Sequence, residues 1–233
     1  VKPSPIFLLH HGSAPSPEGE PDLSAELDGV VSRLWRLDDR AAIEDALAGI
    51  VGPLLIADGH HRYEAAFRFH EEDGSEETAH VLAVLVGLDD EGLEIFPTHR
   101  VIAGEIPDLD GQFRETPLER RADAQAVLAA VGRDHSAFVL LRSDGASLFE
   151  GTEQALDTAL VDSLALSGVA YTTSAAEAER AVESGEATAA FLVRPPRVEQ
   201  VEEFARAGVR MPPKSTYFFP KLTSGLLLAP FDE

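Results

Sequence analysis

The chain has 233 residues, and its 19 basic and 41 acidic residues give a formal net charge of −22. This acidic surplus disfavours non-specific binding to nucleic acids, which depends on positive charge. With 44% hydrophobic and 26% charged residues, the composition predicts a folded globular protein. The absence of cysteine excludes a disulfide framework, thiolate catalysis and cysteine-ligated metal centres. No apolar run approaches the roughly 20 residues of a membrane-spanning helix and no signal-peptide pattern occurs, so we expect a soluble cytoplasmic protein.

The first half of the chain alternates predicted strands with predicted helices. Residues 5–10 predict a strand, and the segment 12–21 is rich in Pro, Gly and Ser, which predicts a surface loop. Alternation with a period of two predicts a strand at 30–37. The further predicted elements are a helix at 41–50, a strand at 54–57, a helix at 60–72, and two strands, 80–88 and 93–102, joined as a hairpin by a turn at 89–92.

The second half alternates elements at the short loop lengths of α/β units. The predicted elements are a strand at 113–118, a helix at 122–131, a strand pair at 137–142 and 147–150 around Ser143-Asp144-Gly145, a helix at 156–166, a strand at 169–173, a helix at 175–185, a strand at 187–194 and a helix at 198–208. The sequence therefore predicts an α/β fold with a mixed sheet. We place a domain boundary near Gly104, between residues 1–104 and 105–233.

One predicted strand-turn-helix junction carries Asp58, Gly59, His60, His61 and Arg62. The first amides of a helix are unsatisfied and its dipole is positive there, so such a junction can hold a phosphate that glycine lets the backbone approach. Three cationic or potentially cationic side chains oppose that dipole, at a cost of a few tenths to about 1 kcal/mol each. An anionic ligand is the economical explanation, and a solvent-exposed basic turn is the alternative. Asp58 could cap the helix, act as a base or bind magnesium.

A second candidate is Pro97-Thr98-His99-Arg100, where a proline interrupts a strand and marks an edge or a bulge. A His-Arg pair in a strand lies more often on the surface than in a site. We therefore expect His99 and Arg100 to contribute to a site only if the sheet brings them beside the histidines of the first junction.

A third candidate is the segment 211–225, which contains Lys214, Ser215, Thr216 and Lys221. Only three of the 19 basic residues are lysines, so two lysines in this segment are unlike the rest of the chain. Prolines replace the glycines of a P-loop, which excludes a Walker site. Lysine with adjacent hydroxyls predicts a phosphate or carboxylate contact. The alternative is that the segment docks on the core, which we favour for its aromatic residues.

Metal and hydrolase chemistry receive less support. His10, His11, His60, His61 and His99 could be metal ligands, but adjacent residues of a strand point to opposite faces and no H-E-x-x-H spacing occurs. The chain also contains no G-x-S-x-G elbow and no G-x-G-x-x-G fingerprint. A dedicated metal site is therefore not expected, and a metal-dependent hydrolase is the weakest interpretation.

The segments ADGHHRYEAA, PTHR and MPPKSTYFFPKLTSGL occur in this order and resemble three motifs of the uncharacterised family DUF1015. The resemblance spans most of the chain. The junction at 58–62 is similar to the phosphate-binding strand-turn-helix of the ParB/sulfiredoxin-like superfamily, which includes nucleotide-dependent free-serine kinases, CTP-binding partition proteins and ATP-using sulfiredoxins. The resemblance implies a ParB/sulfiredoxin-like core in residues 1–104 and phosphate contacts by residues 59–62. It also implies that Asp58 and His60 lie nearest the reacting group.

The resemblance also separates binding from catalysis. Relatives carry an N-terminal segment with a Pro-Pro-Tyr-Asp-Val motif, and in the serine kinases the catalytic acid comes from such an upstream part. The present sequence does not contain that motif, so the resemblance implies phosphate binding more directly than activity. Sulfiredoxin chemistry is excluded because it needs a cysteine, and DNA clamping fits poorly with a charge of −22.

We therefore expect nucleotide-linked phosphoryl transfer on a small hydroxylated metabolite, with serine or phosphoserine suggested by the resemblance. A non-catalytic phosphate- or nucleotide-binding module is the alternative. The expected ligands are a nucleotide (ATP, ADP or CTP) and, optionally, Mg²⁺, with no nucleic acid or membrane partner and with a homodimer left open. Asp58 and His60 are the expected catalytic residues. The expected phosphate-binding residues are Gly59, His61, Arg62, His99, Arg100, Lys214, Ser215, Thr216 and Lys221.

Overall fold

A computed structural model describes residues 4–12, 18–27, 29–152, 155–222 and 225–229. Helices and strands alternate in these residues, and the predicted α/β fold class is confirmed. The chain divides into two compact units, unit 1 (Val1–Glu94 with Phe218–Glu233) and unit 2 (Ile95–Tyr217). A domain is a part of the chain that could fold on its own, and a division into compact units does not test this. The predicted domain boundary near Gly104 therefore stays a prediction.

Unit 1 contains, in chain order, β1 (Ile6–His11), β2 (Leu23–Leu27), β3 (Val30–Leu34), α1 (Arg40–Ala48), β4 (Val51–Asp58), α2 (His60–Asp73) and β5 (Ala83–Gly87), after which β6 (Glu94–Phe96) begins. Its main sheet has the strand order β4-β1-β5. The central strand β1 is antiparallel to β4 and parallel to β5, and a separate hairpin pairs β2 with β3.

The predicted strand-turn-helix junction is present in unit 1. Strand β4 ends at Asp58, which lies opposite Phe7 of β1, and α2 begins two residues later at His60. The strand starts at Val51, earlier than predicted, and includes Pro53. An edge strand tolerates proline because the missing amide need not join a ladder, and β4 lies at the edge of its sheet.

Strand β2 has no counterpart among the predicted elements. Its sequence alternates Leu23, Ala25 and Leu27 with the polar Ser24 and Glu26, so a period of two is present, but the run has only five residues and is mostly exposed. Its partner β3 ends at Leu34, although alternation predicts a strand to residue 37. Of the predicted loop at 12–21, residues 13–17 lie outside the described residues.

The predicted hairpin between residues 80–88 and 93–102 is wrong. Strand β5 pairs in parallel with β1, which lies more than 70 residues earlier in the chain. Residues 93–102 contain two strands, β6 and β7 (His99–Ile102), because Pro97 has no amide to offer a ladder. The turn residues between the two apolar runs therefore favoured a hairpin that long-range pairing overrides.

Unit 2 contains β7, β8 (Arg114–Pro117), α3 (Ala124–Ala130), β9 (Ala137–Arg142), β10 (Gly145–Glu150), α4 (Asp157–Asp162), β11 (Val169–Thr172), α5 (Ala175–Glu183), β12 (Ala189–Val193) and α6 (Val198–Arg206), after which β13 (Tyr217–Phe219) begins. Six of these strands form one antiparallel sheet in the order β11-β7-β12-β9-β10-β8. The hairpin predicted around Ser143-Asp144-Gly145 joins β9 to β10 and is confirmed.

Helices cover both faces of the sheet in unit 2. On one face, Val139 and Leu141 pack with residues of α3 and α5. On the other face, Phe138 and Phe191 pack with Val161 of α4. Burial on both faces explains why β9 and β12 are continuous apolar runs rather than alternating ones. None of the helices in the described residues is long and apolar enough to cross a membrane.

Helix α4 is held at both ends by buried arginines. Its first residue, Asp157, accepts bonds of 2.7 and 2.8 Å from Nε and Nη2 of Arg194. Its last residue, Asp162, accepts two bonds of 3.1 Å from Nε and Nη2 of Arg100 on β7. A helix of six residues is marginal alone, so these pairs fix it against the sheet. The helix is shorter than predicted, and Ala165, with a φ of 52°, does not continue it.

We expect Asp157→Ala to destabilise the protein by about 3 to 5 kcal/mol, because it leaves the guanidinium of Arg194 buried without its counter-charge. Urea unfolding followed by circular dichroism measures the effect. The matched control is Glu44→Ala, which removes a carboxylate from an exposed pair with Arg40 on α1 and is expected to change unfolding little. Equal effects of the two substitutions would contradict the clamping role of Asp157.

Candidate functional site

Helix α2 begins beside Gly59, whose φ of 95° and ψ of 20° lie in the left-handed region. Glycine adopts these angles readily, and it supplies no side-chain oxygen to cap the helix. The first turn contains His60, His61 and Arg62 and no acidic residue. The start of this 14-residue helix therefore combines the positive end of the dipole with basic side chains.

Asp58, Arg62 and Lys221 form a charged cluster beside this turn. Nη2 of Arg62 lies 3.0 Å from Oδ2 of Asp58 and 3.1 Å from the carbonyl oxygen of Pro5. Nζ of Lys221 lies 3.4 Å from Oδ1 of the same carboxylate. Two cations thus share one carboxylate, and the three side chains together keep one positive charge. They are 44, 41 and 39% exposed, so each ion pair contributes little to stability.

The guanidinium of Arg62 packs against the backbone of Gly59. A Cβ atom placed on Gly59 would lie 2.8 Å from Nη2 and 3.1 Å from Nε of Arg62. Position 59 therefore favours glycine for its positive φ, and a larger residue there would also displace the guanidinium of Arg62. The contact holds a cationic fork next to the first amides of α2, where an anion could meet both.

His60 and His61 lie in the first turn of α2, and both are exposed. Successive residues of an α-helix point about 100° apart, so the two imidazoles do not share one face. Both are near enough to the helix N-terminus along the chain to reach a ligand bound there. The catalytic role of His60 and the phosphate contact of His61 stay predictions.

His99 is buried at the start of strand β7 in unit 2. Its Nδ1 accepts a 3.2 Å hydrogen bond from the backbone amide of Val193. Burial, and next the charge of Arg100, lower the pKa of His99 from 6.5 to about 4, so the ring is neutral at pH 7. Because Nδ1 is the acceptor, the neutral ring carries its proton on Nε2.

The side chain of Arg100 contacts three residues of unit 2. Besides its pair with Asp162, its Nη1 donates to the carbonyl oxygen of Thr98, and its guanidinium lies 5.5 Å from the ring centre of Tyr171. These contacts explain Arg100 as a residue that joins β7 to α4. They do not support its predicted contact with phosphate, which stays a prediction.

The C-terminal motif divides its residues between surface and core. Ser215 is buried, and its Oγ lies 3.0 Å from Oγ1 of Thr158, which favours the docking alternative for this residue. Thr216 is half-buried. Lys214 is exposed and has a φ of 57°, a conformation that costs a residue with a Cβ atom about 1 to 2 kcal/mol. Residues 223–224 of the motif lie outside the described residues.

The structure brings four of the predicted residues together in unit 1, namely Asp58, Gly59, Arg62 and Lys221. The backbone oxygen of Pro5 joins this group and was not predicted, because the pairing of β1 with β4 is a long-range feature. In unit 2, the structure adds Thr98 to the predicted His99 and Arg100, since its hydroxyl is buried and its carbonyl holds Arg100. The only sequence signal for Thr98 was its place in the PTHR segment.

Metal ligation receives no support from the geometry. Within the described parts of the chain, no three His, Asp or Glu side chains gather in a way that could hold a metal ion. His10, one of the histidines considered as a ligand, is buried, and its Nδ1 donates a 2.9 Å hydrogen bond to the carbonyl oxygen of His11.

The family described as "protein of unknown function (DUF1015)" matches residues 2–167, and the chain belongs to this family. This confirms the family part of the predicted resemblance. No curated protein matches the sequence.

Solved structures resemble the chain at low sequence identity. A mutant of free serine kinase in complex with AMP is 15% identical, with a TM-score of 0.52 over 92% of this chain and 72% of its own. Free serine kinase in complex with AMP is also 15% identical, with a TM-score of 0.51 over the same shares. A conserved hypothetical protein from Pyrococcus furiosus is 18% identical, with a TM-score of 0.49 over 92% of this chain and 75% of its own. The two kinase structures establish a shared fold and nothing further.

We expect His99 to make the protein less stable as the pH falls from 6.5 towards 4. In this range the unfolded imidazole, with a pKa near 6.5, binds a proton that the folded one, with a pKa of about 4, does not. The free energy of unfolding is therefore about 3 kcal/mol larger above pH 6.5 than below pH 4 through this one group. Urea unfolding of the wild type and of His99→Gln at several pH values measures this effect. As the pH falls, the free energy of unfolding of the wild type should decrease relative to that of His99→Gln. An NMR titration midpoint near 6.5 for His99 would contradict this expectation.

Proposed function

We propose that the N-terminus of α2, with Arg62 and Lys221, binds a phosphate group of a nucleotide, and that the protein transfers phosphoryl groups between that nucleotide and a small hydroxylated metabolite. The observation that carries this proposal is the start of α2 at a left-handed Gly59 with a basic first turn. Such a turn is unfavourable for the helix alone and becomes favourable once an anion lies against it.

The charged cluster beside Gly59 suits a doubly charged phosphate. Arg62 and Lys221 share the carboxylate of Asp58 through exposed ion pairs, which contribute little free energy. A ligand with more negative charge can therefore replace Asp58 as the partner of both side chains. Arginine can bind two phosphate oxygens at once, and lysine adds a compact point charge. Phosphate binding would thereby release Asp58 from both partners.

The nucleotide is supported by the shared fold with free serine kinase, which is described in complex with AMP. We extend this to the present chain as binding of ATP, ADP or CTP, with a serine-like hydroxyl compound as the acceptor. We further propose that the strand-turn-helix of unit 1 is of the ParB/sulfiredoxin-like kind, because its glycine turn offers helix amides to a phosphate in the same manner.

The proposed reaction is a displacement at phosphorus. The hydroxyl oxygen of the metabolite bonds to the phosphorus atom, the bond to the leaving oxygen of the nucleotide breaks, and Asp58 or His60 accepts the hydroxyl proton. Arg62, Lys221 and the first amides of α2 stabilise the charge on the transferred group. Where Mg²⁺ takes part, Asp58 is the carboxylate that would hold it together with phosphate oxygens.

The second candidate is a non-catalytic phosphate- or nucleotide-binding module. It is favoured by the contacts of Asp58, whose two oxygens are both directed at cations rather than free to take a proton. Formation of phosphoserine or inorganic phosphate from ATP, ADP or CTP with serine and Mg²⁺ would support phosphoryl transfer. Calorimetric binding of a nucleotide without turnover would support the module.

We expect Arg62→Ala to weaken nucleotide binding by about 1 to 3 kcal/mol, which is about five- to 150-fold in Kd, while the Tm barely changes. The affinity falls because a bidentate phosphate contact is lost, and the Tm holds because the pair with Asp58 is exposed. Isothermal titration calorimetry and thermal unfolding measure the two quantities.

The matched control for this substitution is Arg68→Ala, which removes the same charge from an exposed position on the same helix. It is expected to leave the Kd within about twofold, because an exposed charge more than one turn from the N-terminus is largely screened. Equal losses of affinity in the two variants would show a general charge effect and would remove Arg62 from the site.

We expect Lys214→Gly and Lys214→Asn to weaken phosphate or nucleotide binding by about threefold or more without lowering the Tm. Both replacements tolerate the left-handed backbone at this position, so they remove the charge without adding strain. Strained backbone conformations occur preferentially at binding and catalytic sites, and contact of the Lys214 side chain with a ligand would explain the strain at this position. Calorimetry and thermal unfolding provide the test, and an unchanged Kd in both variants would exclude Lys214 as a ligand contact.

A further inference from the structure

Thr98 and His99 contain two buried polar atoms that their surroundings leave unpaired. Among the described residues, neither Oγ1 of Thr98 nor Nε2 of His99 has a hydrogen-bond partner. The two residues are 5 and 2% exposed, so bulk water does not replace the missing partner. An unpaired buried polar group costs about 1 to 3 kcal/mol. Native folds contain few such groups, and a catalytic or binding role is one of the explanations for them.

The direction of the unpaired atom of His99 is fixed by the sheet. The amide of Val193 on β12 donates to Nδ1, which holds the ring in one orientation. Since Nδ1 accepts, the neutral ring carries its hydrogen on Nε2, and the unpaired atom is a donor. Strand β7 lies between β11 and β12. The Nε2–H donor of His99 therefore belongs to a strand that is hydrogen-bonded on both sides.

Thr98 offers a second donor from a backbone that Arg100 holds in place. The carbonyl oxygen of Thr98 accepts a hydrogen bond from Nη1 of Arg100, whose guanidinium is in turn fixed by Asp162. The hydroxyl hydrogen can rotate about the Cβ–Oγ1 bond to meet an acceptor. Two adjacent residues thus present donors from fixed backbone positions.

The charge of Arg100 indicates which acceptor these donors suit. It acts at the ring of His99 strongly enough to lower the pKa of that ring further than burial does alone. A positive potential that disfavours an imidazolium favours a negatively charged acceptor in the same place. Hydrogen bonds to an anionic oxygen are also stronger than those to a neutral one.

We infer that Thr98 and His99 bind an anionic oxygen of a small ligand, in a carboxylate or a phosphoryl group. The Nε2–H of neutral His99 and the hydroxyl of Thr98 are the donors. This contact belongs to unit 2 and does not depend on the phosphate site proposed at α2. It assigns a binding role to Thr98 and makes His99 a donor rather than a base.

The test uses the full chain with 15N-labelled histidine at pH 7. Sodium phosphate and sodium acetate are titrated separately, and the spectrum of His99→Gln identifies the His99 resonance. A saturable shift of Nε2 with phosphate assigns a phosphoryl ligand, and one with acetate assigns a carboxylate. A resonance that neither salt moves, or that moves linearly as sodium chloride moves it, overturns the inference whatever nucleotides do at α2.

Two substitutions of Thr98 sharpen the test. Thr98→Val removes the hydroxyl at nearly constant shape, and Thr98→Ser keeps the hydroxyl as the matched control. For the salt that shifts His99, Thr98→Val is expected to raise the Kd about fivefold or more, and Thr98→Ser to stay within about twofold. The Tm of Thr98→Val should not fall, because the lost hydroxyl has no partner. An unchanged Kd in Thr98→Val would overturn the role of Thr98, and the histidine titration decides the matter if that variant does not fold.

Discussion

The functional interpretation of this protein depends on the unfavourable start of helix α2. Acidic or hydroxyl side chains stabilise a helix at its N-terminus, and a chain with 41 acidic residues does not lack them. Instead, α2 begins at a glycine with no capping oxygen and carries two histidines and an arginine in its first turn. The carboxylate of Asp58, which comes just before this glycine in the chain, is directed at Arg62 and Lys221. An arrangement that weakens the helix and gathers positive charge at one point is explained most simply by a negatively charged ligand.

Arginine has a different task in unit 2. Arg100 and Arg194 are buried, and each reaches one end of α4 through an aspartate. A guanidinium keeps its charge when buried and binds a carboxylate with two bonds, which suits it to fix a short helix against a sheet. The same residue type thus lies exposed beside Gly59 and buried within unit 2. Burial and partners, rather than the presence of a basic residue in a motif, decide whether it is free to meet a ligand.

The sequence predicted those features that depend on neighbours in the chain. The junction at Asp58-Gly59 and the hairpin at Ser143-Asp144 follow from apolar runs that end at turn residues, and both are present. The parallel pairing of β5 with β1 was missed, because nothing local distinguishes it from a hairpin. The pairing of Arg100 with Asp162, 62 residues later, and the unpaired hydroxyl of Thr98 are likewise products of the folded sheet. Strand β2 was missed although its apolar residues alternate with polar ones, because a run of five mostly exposed residues beside a loop rich in Pro and Gly is a weak signal.

The two proposed contacts differ in their physics, and the difference determines what each can select. Arg62 and Lys221 are exposed charges that attract any anion, and dissolved salt screens them within about a Debye length. Thr98 and His99 are buried donors with fixed positions, which discriminate by the geometry of the acceptor and are screened much less. An affinity that falls steeply with salt therefore belongs to the exposed cluster. An affinity that holds in salt and discriminates between carboxylate and phosphoryl oxygens belongs to the buried pair.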